Sequence, residues 1–217
     1  MRFKAVLFDI DGTLLDTLED LGASMNTVLQ SFGFPVHDIP AYKYFVGDGM
    51  EMLVKRTLPE NRRDAPQVAQ AVERMRAEYS RRWADTTRPY DGIPRLLDRI
   101  VAQGLTLVAL SNKPDGPAKQ VIAHFFERWH FEIVLGARPS MPNKPDPAGA
   151  RQIAATLDLP PEDFLYLGDT GIDMQTAVSA GMYAAGVLWG FRKADELIDA
   201  GARMLFRRPE DLLAFLG

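Results

Sequence analysis

A short apolar run, Ala5-Val6-Leu7-Phe8, stops abruptly at two carboxylates, Asp9 and Asp11, which are followed by Gly12-Thr13. A continuous apolar run of this length reads as a strand buried on both faces, the pattern of a parallel sheet. In open α/β sheets ligands bind beyond the carboxyl ends of the strands, so acids at such an end place chemistry there. Two carboxylates this close repel unless they share a cation or a proton. Mg²⁺ suits the position, because it takes oxygen ligands from one or two carboxylates and a substrate phosphate. Gly12 lets the backbone turn tightly, and Thr13 offers a hydroxyl and an N–H that can hold phosphate oxygens. A plain acidic turn would need only Asp11-Gly12, leaving the second acid and the threonine without a reason.

The whole chain narrows the field further. Its 217 residues can bury a full core, as one large domain or as a core with an insertion. A formal charge of −4 gives no electrostatic case for nucleic acid or for an anionic membrane. No cysteine is present, which excludes disulfides and thiolate metal sites. The opening Met1-Arg2-Phe3-Lys4 leads straight into the first strand, too little apolar length for a signal peptide or a membrane span. A cytoplasmic location is expected.

Along the chain, the pattern after Asp16-Thr17 turns helical. Asp16 or Thr17 can cap a helix carrying Leu18, Leu21, Met25, Val28 and Leu29, stopped by Gly33 and Pro35. Helical character persists to about residue 86, with a Gly47-Asp48-Gly49 turn and a long helix over roughly 65–84. From Pro89 onward helices and short apolar strands alternate. The strands read as Leu105 to Leu110, Phe131 to Leu135, Phe164 to Leu167 and Tyr183 to Leu188, and two helices flank Met204-Leu205-Phe206 in the tail. Such alternation predicts an α/β fold: a Rossmann-like parallel-sheet core with a small helical cap inserted after the first strand. The expected boundaries are 1–16 with 87–217 for the core and 17–86 for the cap.

Polar residues gather just past the strand ends. Asp9 and Asp11 follow the first strand, Ser111 and Asn112 the second, and Asp169 and Asp173 the fourth; Lys144 lies in the loop after the third. In a parallel sheet these ends share one edge, so distant segments can converge on one crevice. Each cluster also has an ordinary reading. Ser111 or Asn112 can cap the next helix, Lys144 can be a solvated surface residue, and Gly168-Asp169-Thr170-Gly171-Ile172-Asp173 can be a capped helix start. His37, His124 and His130 share no ligand spacing. The Gly47 and Gly49 pair lacks the third glycine of a dinucleotide fingerprint.

Taken together, Asp9-Ile10-Asp11-Gly12-Thr13, Ser111-Asn112, Lys144-Pro145 and Gly168-Asp169-x-x-x-Asp173 resemble the four signatures of the haloacid dehalogenase-like phosphohydrolases, in the same order. The resemblance implies that Asp9 is a nucleophile forming an aspartyl phosphate and that Asp11 is the general acid and base. It implies Mg²⁺ held by Asp9, the Asp11 carbonyl and Asp169, with Asp173 a ligand or a neighbour of the ligands. Thr13, Ser111 and Lys144 would hold phosphoryl oxygens, and Asn112 would orient the site or the substrate. Dehalogenases of this family lack the second acid, so Asp11 argues against dehalogenation.

Phe45-Val46-Gly47-Asp48-Gly49-Met50 and Gly186 to Arg192 are similar to stretches of the phosphoglycolate phosphatases within that family. This implies 2-phosphoglycolate as the substrate and a small phosphorylated metabolite as the only partner, with a monomer or homodimer as the assembly. Gly47 and Arg56 become candidates for substrate specificity, beside Lys43 and Lys55. The alternatives are another small-ester phosphatase, a sugar phosphomutase or a phosphonate hydrolase of the same fold. A phosphoacceptor signalling domain belongs to a different class; such modules are about half this length and lack the Asp-x-Asp-Gly-Thr order.

Overall fold

The computed structural model describes residues 3–216. The chain divides into two compact units, Met1–Leu15 with Pro89–Gly217, and Asp16–Arg88.

The first unit is built on six strands: β1 (Ala5–Phe8), β4 (Thr106–Pro114), β5 (Phe131–Ala137), β6 (Phe164–Gly168), β7 (Tyr183–Val187) and β8 (Met204–Phe206). Two-residue strands β2 (Leu15–Asp16) and β3 (Arg88–Pro89) mark where the chain leaves this unit and returns to it. The six-stranded order is β5-β4-β1-β6-β7-β8, and every neighbouring pair in it is parallel. The chain thus builds outward from β1 on one side, then reverses and builds on the other. Such a switch point opens a crevice at the carboxyl end of β1.

All four β1 residues are fully buried, as the unbroken apolar run requires. Ala5 and Leu7 join a core with Val108, Leu110, Leu135, Ile153, Phe164, Tyr166 and Leu197. Val6 and Phe8 point to the opposite face, since side chains alternate along a strand. Burying each such side chain contributes roughly 1.5–3 kcal/mol. The connecting helices are α5 (Ile93–Ala102), α6 (Asp115–Phe125), α7 (Ala148–Thr156), α8 (Gly171–Ala180), α9 (Ala194–Asp199) and α10 (Pro209–Leu216).

Two strand assignments differ from the sequence reading. The apolar run suggests that the second strand ends at Leu110, yet β4 continues through Ser111-Asn112-Lys113 to Pro114, with an irregular register against β5 after Leu110. A bulge of this kind re-aims side chains beside a site. Between the two tail helices, Met204–Phe206 is a strand that pairs with β7. Three residues are too short a run to declare their period.

The second unit is helical: α1 (Leu18–Ser31), α2 (Tyr42–Phe45), α3 (Met50–Thr57) and α4 (Ala65–Arg82). Leu21, Met25, Val28 and Leu29 of α1 are buried, as are Val68, Ala71, Met75 and Tyr79 of α4, and these two helices pack together. Thr17 occupies the N-cap position of α1 without a side-chain cap; Leu18 N–H instead donates to Asp16 Oδ1. Asp64 caps α4 by accepting from the Gln67 N–H at 3.0 Å. At the far end of the unit, buried Asp20 accepts from the hydroxyls of Thr86 and Thr87 at 2.6 and 2.7 Å and from both backbone N–H groups.

Candidate active site

The carboxyl ends of β1, β4 and β6 and the loop after β5 bring their polar residues to one place. Asp9 is held beside β6 by its N–H, which donates to Leu167 O at 2.9 Å. Lys144 Nζ donates to Asp9 Oδ1 at 2.7 Å and to Asp173 Oδ1 at 2.6 Å. Asp9, Asp169 and Asp173 each offer a carboxylate oxygen within 4.8 Å of the others, and all three residues are buried.

The loop carrying Lys144 is clamped from β4. Asn112 Nδ2 donates to Lys144 O at 3.1 Å, and Lys144 N–H donates to Asn112 Oδ1 at 2.9 Å. Neither Ser111 nor Asn112 caps α6, whose N-cap position is Pro114. Ser111 Oγ accepts from the Lys113 N–H at 3.2 Å. Beyond Lys144, Asp146 Oδ1 accepts from the Ala148 N–H at 2.8 Å and so turns the chain into α7.

Asp169 and Asp173 are oriented by their own neighbours. Asp169 Oδ1 accepts from the Thr13 hydroxyl at 3.1 Å, and its Oδ2 from the Phe191 N–H at 2.8 Å. Thr13 therefore steers an acid with its hydroxyl, while its N–H faces Ile10 O at 3.4 Å. Asp173 forms a capping box with Thr170 at the start of α8. Its Oδ2 accepts from the Thr170 hydroxyl at 2.6 Å, and its Oδ1 faces Tyr166 OH at 3.4 Å. Gly12 has φ +91°, and a Cβ there would fall on the Asp169 carboxylate.

Burial sets the electrostatics. Loss of solvent pushes the Asp9 carboxyl up to about 7 against the pull of Lys144, with Asp173 adding repulsion. Burial, then Asp9 and Asp173, hold Asp169 well above the usual carboxylate range. Burial alone would lower Lys144, but the charges of Asp173 and Asp9 outweigh it and keep the ammonium firmly protonated. Asp11 Oδ2 lies 3.3 Å from the buried Lys113 ammonium. The cluster thus holds carboxylates on Asp9, Asp11, Asp169 and Asp173 against ammonium groups on Lys113 and Lys144. A surplus of crowded, desolvated oxygen donors fits a hard divalent cation such as Mg²⁺.

Two contributors, Lys113 and Tyr166, lie outside the sequence reading. Lys113 adjoins Ser111-Asn112, but a lysine at a strand end carries no signal of its own. Tyr166 sits inside an apolar strand and reads as core. Thr170 was legible as the first residue of a Thr-x-x-Asp capping box. The other two candidates, Gly47 and Arg56, belong to the helical unit. Gly47 has φ +126°, and Arg56 pairs with Asp48 Oδ2 at 2.5 Å while donating to Phe45 O at 3.1 Å.

The family model for haloacid dehalogenase-like hydrolases matches residues 6–187. The chain is 29% identical to a phosphoglycolate phosphatase of Mannheimia succiniciproducens over 98% of its own length and 97% of that protein. It is 32% identical to a phosphoglycolate phosphatase of Cereibacter sphaeroides, with 87% of each chain covered. Among solved structures, one from Lactobacillus delbrueckii subsp. bulgaricus, provisionally described as a phosphoglycolate phosphatase, superposes with a TM-score of 0.93. That protein is 27% identical and is matched over 100% of this chain and 99% of its own. With the signatures converging on one sheet edge and the family model spanning most of the chain, the protein belongs to the haloacid dehalogenase-like hydrolases.

Proposed function

We propose that the protein is a Mg²⁺-dependent phosphomonoester hydrolase that works through an aspartyl phosphate and acts on 2-phosphoglycolate. The observation that carries this reading is the buried Asp9 held by Lys144 beside Asp169 and Asp173, with Asp11 two residues away. Asp9, Asp169 and Asp173, with the Asp11 carbonyl, are the groups that would hold Mg²⁺. When bound, the ion offsets the repulsion between the acids and an incoming phosphate dianion.

In the first half-reaction an Asp9 oxygen attacks phosphorus and the ester P–O bond breaks. Its electron pair leaves on the alcohol oxygen, which takes a proton from Asp11. In the second, water gives a proton to Asp11 and attacks phosphorus, the bond to Asp9 breaks, and inorganic phosphate departs. Asp11 returns to its protonated form. Lys144 orients Asp9 and stabilises charge on the phosphoryl oxygens. Asn112 holds the Lys144 loop, Ser111 lies on the same edge, and Thr13 fixes Asp169.

The substrate assignment is supported by the near full-length relatives named phosphoglycolate phosphatase. Selection among esters is assigned to the turn at Gly47, which Arg56 braces through Asp48.

Phosphate release from 2-phosphoglycolate, sugar phosphates, nucleotides and an aryl phosphate tests the reading, with Mg²⁺, with chelator, and on Asp9→Asn. A large preference for 2-phosphoglycolate, abolished by chelator and by Asp9→Asn, is the expected result. Preference for another ester removes the substrate assignment, and turnover surviving in Asp9→Asn removes the mechanism.

A further inference from the structure

Lys113 is as buried as the Asp9–Lys144 pair, with a side chain 4% exposed, and it faces Asp11. A buried ammonium needs an oxygen facing it, and Asp11 Oδ2 lies at 3.3 Å, an arrangement that leaves Oδ1 as the oxygen that can carry the acid's proton. The other oxygen is different. Asp11 Oδ1 is shielded from solvent and has no hydrogen-bond partner among the described residues. A shielded carboxylate oxygen without a partner is costly, and such exceptions call for a functional reason.

The local backbone explains how the lysine reaches this position. After Leu110 the register of β4 against β5 slips, and the Lys113 N–H turns back to Ser111 Oγ at 3.2 Å. Within this irregular stretch the Lys113 ammonium reaches Asp11 just past the end of β1. Asp11 is set from its own side by a bridge to Leu15 and by Gly12 N–H, which donates to Leu15 O at 2.8 Å.

We infer that Lys113 is a positioning residue for the reaction: by holding Asp11 Oδ2 it aims Oδ1 at the ester oxygen that must be protonated. This rests on the phosphomonoesterase reading above. Lys113 acts on the half-reaction in which the P–O bond breaks, where the departing oxygen takes its proton from Asp11. Its importance therefore depends on how badly the leaving group needs that proton. A benzyl alcohol leaves poorly as an alkoxide, whereas 4-nitrophenol leaves readily as a phenoxide without help.

The test compares kcat/KM for benzyl phosphate and 4-nitrophenyl phosphate, two esters of similar size, with saturating Mg²⁺. This parameter stops at the first irreversible step, so hydrolysis of the aspartyl phosphate does not enter it. Lys113→Met should lower kcat/KM for the benzyl ester about 10-fold or more beyond its effect on the nitrophenyl ester, a fraction of the full general-acid contribution. Lys113→Arg, which keeps a charged donor, should recover most of that difference. In an Asp11→Asn background, Lys113→Met should add little to the ratio, because the group it positions is already gone. Should Lys113→Met fail to fold, Lys113→Gln keeps a polar tip and reads the same ratio. Equal losses on the two esters, or an arginine variant no better than methionine on the benzyl ester, overturns the inference. A wild-type protein that releases phosphate from neither these esters nor 2-phosphoglycolate overturns the phosphatase reading, and the inference with it; where only 2-phosphoglycolate turns over, an equal kcat/KM for wild type and Lys113→Met on that ester overturns the inference alone.

Discussion

Lys144 Nζ lies 2.7 Å from Asp9 Oδ1 although 135 residues separate them in the chain, and the same ammonium is 2.6 Å from Asp173 Oδ1. One buried cation thus ties together the end of β1, the first turn of α8 and the loop after β5.

Removing that cation should cost stability as well as activity. Lys144→Met leaves Asp9 and Asp173 buried without their counter-charge, worth about 3–5 kcal/mol of unfolding free energy in metal-free protein. Burial holds the Asp9 carboxyl above its unfolded value even against the pull of the lysine, and removing the lysine leaves that effect unopposed. A group raised in this way favours the folded state at low pH and progressively less as pH rises through the folded value. Urea unfolding at about pH 5 and about pH 8 should therefore show the larger deficit at the higher pH. A deficit that is the same at both would mean that the acids are not what the lysine stabilises.

Mg²⁺ should stabilise the wild-type protein measurably. An ion that binds only the folded state at 100 times its Kd adds about 2.7 kcal/mol. Thermal unfolding with and without Mg²⁺ should show a rise in Tm that chelator reverses. Asp169→Asn should remove the rise, since Asp169 is one of the three acids whose oxygens converge. An unchanged rise in that variant would separate the binding site from these acids.

Gly12→Ala tests how tightly the first loop is built. With φ +91° and the Asp169 carboxylate where a Cβ would sit, the alanine strains the backbone and displaces an acid. The expected loss is about 1–3 kcal/mol in stability, with activity falling about 100-fold or more because Asp169 moves. Denaturant unfolding and steady-state kinetics on one preparation check both. A fully active Gly12→Ala would show that Asp169 tolerates displacement.

In the helical unit, Asp20 carries a pH dependence of its own. Burial would raise its pKa, but hydrogen bonds from the hydroxyls and N–H groups of Thr86 and Thr87 outweigh that and hold it below the usual carboxylate value. A group depressed in the folded state contributes stability that is complete above its unfolded pKa, about 3.9, and fades as pH falls through the folded value. Asp20→Ala should cost about 2–3 kcal/mol near neutral pH and much less under acid, read by denaturant melts across pH. An equal cost at every pH would mean the ionised carboxylate is not what matters.

Asp9 and Asp11 were readable because two acids crowded at the end of a buried strand repel unless a cation or a proton lies between them. Asp173 was readable because acids at a helix start form a local pattern. Lys113 was not. Nothing in Ser111-Asn112-Lys113-Pro114 states that β4 runs on there with an irregular register, or that Asp11 of a distant strand end lies beside it. Thr13 and Asn112 were visible as polar residues near a site. Their partners were not, because a hydroxyl in a loop serves a ligand or a neighbouring acid equally well until the neighbour is in place. The short strand Met204–Phe206 was hidden for a different reason, since three residues cannot show a period.

What the sequence determined by itself was the alternation of apolar strands with amphipathic helices, and with it a parallel sheet whose strand ends collect the acids. That much follows from local rules: residue period, turn residues and caps act over a few positions, so a linear reading captures them. What only the tertiary structure decided was which charges meet. Lys144 with Asp9, Lys113 with Asp11 and Thr13 with Asp169 are contacts across more than 100 residues each. Their distances depend on strand order, on register and on a bulge, which are properties of the packed sheet and of no single segment.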